Sequence, residues 1–423
     1  MPDQPSDLGA PPTVEEPWPP PALSTEEAVT DEPEPHRLRG RRRLIVLAVC
    51  AAVTVLAAVV ITVRLRQSDA PAVEPGVDTW APYWALDESL PDLDARAEQF
   101  RELSPFWFAA EGVGSIVVDD NADRAQTDAF METARRSGSR VVPSIVDAMP
   151  SGAMAAMLAD PAQRARHVDA LARFAEEGSY AGLDIDYEKF AFADDRSTWD
   201  TTRPAWVAFV TALAERLHTD GRTLTVSIPP IYDAGRTSDS GFWVYAYDEI
   251  APVVDRIRVM AYDYSTDAPG PIAPLAWVQE AIDSAVEATG EPSKLVLGVP
   301  LYGYNWLVST VGSCPPGEAP DRTGVTARSA GDLAAERGAE PVYDETTAEW
   351  AFTYRLDLTD GTTSCTQTRQ VHYVDSRGAT ARMAMADAAG LAGSSLWALG
   401  YEDDALWSTL SEPGRATTVT TTG

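Results

Sequence analysis

Two rhythms of apolar residues alternate along this chain between about residues 77 and 400. Short runs rich in Val, Ile, Leu and aromatic residues have the length of strands, and longer stretches with apolar positions three or four apart have the period of helices. Runs at 78–83, 105–109 (with a hairpin continuation at 115–119), 140–146, 180–188, 223–228, 256–262, 294–300 and 394–399 predict eight strands. Helices are predicted between them at 91–103, 123–137, 160–177, 203–219, 244–254 and 274–289. Val168, Leu171, Ala172 and Phe174 share one side of the 160–177 helix, and Trp206, Phe209, Val210 and Leu213 share one side of the 203–219 helix. Such alternation implies a parallel sheet covered by helices. An open doubly wound sheet would give the same pattern, but eight units favour an α/β fold closed as a (β/α)8 TIM barrel, where functional residues lie at the carboxyl ends of strands.

About ninety residues separate the seventh and eighth strands, too many for a barrel loop. They predict a helix at 327–337, strand-like runs at 350–356 and 370–374 joined by a turn at Asp360-Gly361, and a helix at 377–389. The last helix fits as the barrel's own, leaving a small α+β insertion at about 307–376 within a domain of 77–410.

Outside that domain the pattern changes. Residues 1–43 are rich in Pro, Glu, Asp and Ser and end in an arginine cluster (Arg37, Arg39, Arg41, Arg42, Arg43), which predicts a disordered cytoplasmic tail. Residues 44–63 carry no charge and are long enough to cross a bilayer once. The preceding arginines place the N-terminus in the cytoplasm and the domain outside, at the cell membrane. A cleaved signal peptide, cut near Ser68-Asp-Ala70, is the competing reading, although the uncharged stretch is longer than a signal core. Residues 64–76 read as a linker and 411–423 as a disordered tail.

A formal charge of −31 argues against a nucleic-acid partner. Cys314 and Cys365 both fall in the exported part, where a disulfide can persist, though a pair of free thiols is the alternative. The four histidines show no metal-ligand spacing, so neither a metal nor another cofactor is expected.

The strongest chemical signal is Tyr180-Ala-Gly-Leu-Asp-Ile-Asp-Tyr-Glu188. On a strand, Leu183, Ile185 and Tyr187 point one way and Asp184, Asp186 and Glu188 the other, with neighbouring carboxylates ~7 Å apart. Like charges held so close and buried cannot all ionise freely, so at least one pKa must rise. That is how one carboxyl serves as an acid beside another that stays charged.

The stretch resembles the D-G-x-D-x-D-x-E signature on the fourth strand of glycoside hydrolase family 18, the chitinase-like barrels. Other strand ends resemble the family too. They are Met260-Ala-Tyr262-Asp263 after the sixth strand, Gly298-Val-Pro300-Leu-Tyr302-Gly303 on the seventh, and Trp397 in Leu-Trp-Ala-Leu-Gly-Tyr-Glu-Asp on the eighth. The resemblance spans about 77–404 and in character is nearest the bacterial spore-cortex and cell-wall glucosaminidases. Two departures stand out: Ala181 replaces the first motif Asp, and the third strand reads Pro143-Ser-Ile-Val-Asp147 where the family has S-x-G-G.

The resemblance implies cleavage of β-1,4 bonds at N-acetylglucosamine residues of a peptidoglycan or chitin-like glycan, with the sugar's own acetamide as nucleophile. Glu188 would be the acid, Asp186 would orient the acetamide, Asp184 would share a proton with Asp186, and Tyr262 would hold the acetamide oxygen. Asp263, Met260, Trp397, Tyr302 and Tyr83 would contact the sugar. A catalytically silent glycan-binding protein on the same barrel is the alternative.

Overall fold

The computed structural model describes residues 76–231, 242–317 and 320–410. The expected tail at 1–43, the apolar span at 44–63, all of the 64–76 linker but its last residue, and the tail at 411–423 lie outside the described residues. Among the described residues no helix is long and apolar enough to cross a membrane.

The strands before the insertion are β1 (Val77–Pro82), β2 (Phe100–Phe106), β3 (Phe108–Gly112), β4 (Ser115–Val118), β5 (Arg140–Val141), β6 (Ser144–Asp147), β7 (Gly182–Asp186), β8 (Thr223–Ile228), β9 (Arg256–Val259) and β10 (Leu295–Pro300). The insertion holds β11 (Tyr302–Gly312), β12 (Arg322–Thr326), β13 (Val342–Asp344), β14 (Glu349–Thr359) and β15 (Ser364–Tyr373), and β16 (Gly393–Trp397) follows it. One sheet runs β4-β3-β6-β7-β8-β9-β10-β16-β1-β2-β5, parallel except for the β3–β4 hairpin. Only Trp107 separates β2 from β3, and only Val142 and Pro143 separate β5 from β6. Since β2 pairs with β5 while β3 pairs with β6, the sheet curls towards its own beginning. The result is a TIM-like α/β fold with helices packed along a curled parallel sheet.

The sequence accounts for this locally. Every residue of β1 and of β10 is buried, as expected of parallel strands covered on both faces. Helix Pro161–Glu177 begins where the Asp160 side chain accepts from the Ala162 and Gln163 amides at 2.8 and 3.1 Å, with Pro161 in the first turn. Helix Trp199–Thr219 buries Trp206, Phe209, Val210 and Leu213, the stripe read from the sequence. At Gly182 a side chain would meet the Thr223 carbonyl at 2.3 Å, so the acidic strand can approach β8 only with glycine there.

Two expectations change. The helix expected at 91–103 is Leu86–Arg96, and after a short turn Phe100 already begins β2. The apolar spacing of Leu93, Phe100 and Leu103 suits a helix, but pairing with β1 and burial of Phe100 and Leu103 claim the latter two for the sheet. The helix expected at 244–254 shrinks to Tyr247–Ile250 behind the turn Trp243–Tyr245, with Ala246 at φ 52° breaking it from the turn.

The insertion forms a separate antiparallel sheet, β12-β11-β15-β14-β13. It starts earlier than expected, at Tyr302, because β11 runs straight out of the seventh barrel strand. Val325, Phe352, Tyr354, Val371 and Tyr373 form its own small core under helix Ala327–Glu336. Cys314 and Cys365 are disulfide-bonded across it, with Cα atoms 4.7 Å apart. Glu349 fastens it to the barrel by accepting from the Ile272 and Ala273 amides, both at 2.7 Å, and from Arg382 at 2.9 Å.

Candidate active site

β7 carries Leu183 and Ile185 into the core and Asp184 and Asp186 to the opposite face. Tyr187 lies past the strand end yet is fully buried. Its hydroxyl is 2.8 Å from His167 Nε2, while His167 Nδ1 is 3.1 Å from the Val113 carbonyl. Burial pushes that imidazole down to about 4, so it is neutral and structural at working pH. Glu188 follows at the head of the short helix Lys189–Phe192.

The three carboxyls of the row are not equivalent. Asp184 is fully buried and surrounded by donors: Trp80 Nε1 at 3.2 Å, Ser144 Oγ at 2.5 Å, Ser227 Oγ at 2.8 Å, and Arg258 at 3.0 Å. Asp186 is buried too, but its Oδ1 has no partner among the described residues. Burial, then the charges of Glu188 and Asp184, push Asp186 well above the carboxylate range, while Arg258 pulls it down. Glu188 is pushed up to about 7, first by burial and then by Asp263. It is therefore about half protonated at neutral pH.

Of the other expected residues, Tyr262 and Asp263 interact with this row, and the rest lie at or just past the ends of neighbouring strands. Tyr262 follows β9, and burial with the charges of Glu188 and Asp186 raises its hydroxyl well above the usual phenol range. Its ring lies against Gly298, where a side chain would come within 3.0 Å of it. Asp263 sits at φ 61° and accepts from the Tyr302 hydroxyl and, at 2.8 Å, from the Tyr304 hydroxyl. Met260 is buried just past the end of β9. Trp397 closes β16 and packs edge-on against Phe106 at 4.8 Å and Trp80 at 5.8 Å. Tyr83 is half-buried just after β1, edge-on to Trp84 at 4.9 Å. A cavity of about 520 Å³ opens beside Trp397 and Tyr302, lined also by Trp84, Tyr304, Arg328 and Tyr401. Glu188 and Asp186 are not among its lining residues; it lies between the ends of β1 and β16 and the start of the insertion.

Ala181 lies before β7, at the opposite end of that strand from Glu188, and its backbone pairs with Val141 and Thr223. The missing first carboxylate is therefore remote from the acid. Sequence reasoning passed over Trp80, Ser144, Ser227, Glu102 and Arg258, the residues that surround Asp184 directly or through Arg258. The available signal was a charged residue at an inward position of a buried strand, Arg258 between Ile257 and Val259. Among the described residues, no group of three or more His, Cys, Asp or Glu side chains is placed to hold a metal ion.

The family model for glycosyl hydrolases family 18 matches residues 95–402, and the chain belongs to that family. Over 156 residues it is 31% identical to a protein of Bacillus subtilis named as a sporulation-specific glycosylase, covering 36% of this chain and 34% of the relative. It is 26% identical over 233 residues to the cortical fragment-lytic enzyme of the same species, covering 53% of this chain and 50% of the relative. The chain thus spans between about a third and a half of the length of these two relatives. A crystal structure of a chitinase from Chromobacterium violaceum shares the fold at a TM-score of 0.63 and 24% identity, over 79% of this chain and 98% of the other.

Proposed function

We propose that this chain is a glycoside hydrolase that cleaves β-1,4 bonds at N-acetylglucosamine residues with retention of configuration. The observation that carries this reading is Asp186, whose buried Oδ1 lacks a partner among the described residues, two positions before Glu188, which burial and Asp263 push up to about 7. An orphaned acceptor in a dry site is costly unless a ligand supplies a donor, and the N–H of a sugar acetamide is such a donor. Glu188 protonates the departing glycosidic oxygen. The acetamide oxygen attacks the anomeric carbon as the bond to the leaving group breaks, giving an oxazolinium ion. Asp186 accepts the acetamide N–H and balances the positive charge, and Tyr262 donates to the acetamide oxygen. Water, deprotonated by Glu188, then opens the ring. Trp397 offers its face to the sugar, and Asp263, Met260, Tyr302 and Tyr83 shape the surrounding contacts.

Counting β2–β3 and β5–β6 each as one interrupted strand gives eight parallel strands, which supports a (β/α)8 barrel. The uncharged stretch 44–63 behind an arginine cluster supports a single membrane anchor with the hydrolase outside. Relatives named as a cortical fragment-lytic enzyme and as a class V chitinase support a glycan containing N-acetylglucosamine as the substrate, of either peptidoglycan or chitin type.

The test is mass spectrometry of products after incubating the purified protein with N-acetylglucosamine oligomers and, separately, with peptidoglycan. Cleavage that disappears in Glu188→Gln is expected. Undiminished cleavage by that variant would sink the assignment, and binding of either glycan without cleavage would move the reading to a glycan-binding protein.

A further inference from the structure

The acid of the row stands on backbone that the sheet does not hold. β7 ends at Asp186, and its pairing reaches Asp186 on the β6 side and Ile185 on the β8 side. Glu188 lies beyond both. The chain after it is tied down: Lys189 donates to the Met149 carbonyl, and Asp194 accepts from the Gly152 amide at 2.6 Å and from Ser151 Oγ at 3.0 Å. Before it comes the peptide that joins Tyr187 to Glu188, and no backbone amide among the described residues donates to the carbonyl of that peptide. A side chain meets it instead. The hydroxyl of Tyr245 donates to the Tyr187 carbonyl at 2.8 Å.

Tyr245 comes from the connection between β8 and β9, in the turn Trp243–Tyr245. It is fully buried, with its ring 5.9 Å from Trp206 and 6.0 Å from Phe190. Its own carbonyl accepts from Trp206 Nε1 at 3.0 Å, which fixes the turn to helix Trp199–Thr219. The Ala191 amide, which donates to the Glu188 carbonyl at 3.0 Å, also lies against the phenol oxygen. One hydroxyl therefore meets the peptide before the acid and the turn after it. Burial, then the charges of Glu188 and Asp186, raise this phenol well above its usual range, so it keeps the proton it donates.

Resting on the hydrolase reading, we propose that Tyr245 is a positioning residue for the acid: its hydroxyl fixes the plane of the Tyr187–Glu188 peptide and so aims the Glu188 carboxyl at the glycosidic oxygen. The phenol proton is committed to a backbone carbonyl, so Tyr245 acts only through Glu188. A peptide plane free to tilt swings the side chain that follows it, and proton transfer requires donor and acceptor within hydrogen-bond reach. Loss of this hydroxyl should therefore impair protonation of the leaving group. It should spare the attack by the acetamide, which depends on Asp186 and Tyr262.

The test compares full-length wild type with Tyr245→Phe on two substrates that differ in leaving group. Cleavage of N-acetylglucosamine oligomers needs the acid, whereas a dinitrophenyl glycoside of the same sugar releases an anion that needs no proton. In Tyr245→Phe, kcat/KM should fall about tenfold or more on the oligomers and change by less than about twofold on the dinitrophenyl glycoside. On the oligomers, adding Tyr245→Phe to Glu188→Gln should cause no further loss, because two residues acting as one unit are not additive. Equal losses on both substrates, or an unchanged oligomer rate, would overturn the proposal and leave Tyr245 a packing residue. If Tyr245→Phe does not fold, Trp206→Phe keeps the phenol but frees its turn, and it should show the same split more weakly; an equal loss there would overturn the proposal too. A second readout needs no turnover. Protein labelled with 13C at tyrosine carbonyls and 15N at glutamate gives two Tyr-Glu signals, from 187–188 and 401–402, and only the first should shift in Tyr245→Phe. Wild-type protein that cleaves neither substrate marks failure of the hydrolase reading, and an unmoved 187–188 signal marks failure of this inference.

Discussion

Two fully buried arginines, each facing carboxylates, show how differently one ion pair can be used. Arg382, on helix Ser376–Ala388, has every donor group engaged. Its nitrogens reach the carbonyls of Ala273, Thr347, Ala348 and Gly378 and the carboxylate of Glu349, which in turn accepts two backbone amides. Burial still pushes Glu349 up, but Arg382 and the two amides oppose it. Arg258, in the sheet under the acidic row, is less fully matched. Its Nε has no partner among the described residues, and it divides two terminal nitrogens between Glu102 and Asp184. The first cluster is satisfied on all sides and joins two parts of the fold. The second is left under-satisfied where acidity matters. Buried charge that is completely paired fixes geometry, and buried charge that is incompletely paired sets pKa values.

That contrast can be broken most severely at the row itself. Glu188→Gln should lower kcat by at least about a hundredfold, since a positioned acid contributes that much or more, with little change in melting temperature. At the other arginine the outcome reverses. Arg382→Met strands a buried carboxylate and should cost ~3–5 kcal/mol in urea unfolding, while the protein that remains folded keeps near-normal kcat. A large kcat loss in folded Arg382→Met would mean the two clusters are not separable. Stability against pH separates them more gently. Glu102 and Glu188 are raised to about 7 and Glu402 to about 8, from an ordinary 4.5. Folding favours their neutral forms, so their contribution is whole below about pH 4.5 and is lost as pH rises through about 7 to 8. The melting temperature should therefore decline over that window, and Glu102→Gln should flatten part of the decline; a melting temperature that climbs from pH 5 to 8 would contradict the assignment. The smallest effect is expected at the rim. Tyr304→Phe removes one of the two phenol donors to Asp263 and should cost ~1 kcal/mol, read as a several-fold drop in kcat/KM.

The parts of this site that could be read from the sequence are those carried by one strand. Asp184 and Asp186 share a face because of a two-residue period, and the strand placing them could be recognised from Leu183 and Ile185; Glu188, expected on the same strand, lies past its end at the head of helix Lys189–Phe192. What escaped notice was created by closure of the sheet. Glu102 and Arg258 lie 156 positions apart, and no local pattern links them. Trp80, Ser144 and Ser227 meet Asp184 from three further strands for the same reason. The misplaced helix at 91–103 failed on a related point. Its apolar spacing allowed either period, and the choice was made by β1, a neighbour that local propensity does not see.

The grip of Glu349 on the Ile272 and Ala273 amides bears on how such a protein could be recombined. A chimera that exchanges the β11–β15 sheet by cutting only at its sequence ends would leave two barrel-loop amides without an acceptor and Arg382 without its carboxylate. The transferable module is therefore discontinuous: the sheet, the loop around 270–273 and the first turns of helix Ser376–Ala388. Grafts that respect those boundaries should fold with the cleft wall at its native angle, whereas grafts of the continuous segment should yield barrels whose wall is loose.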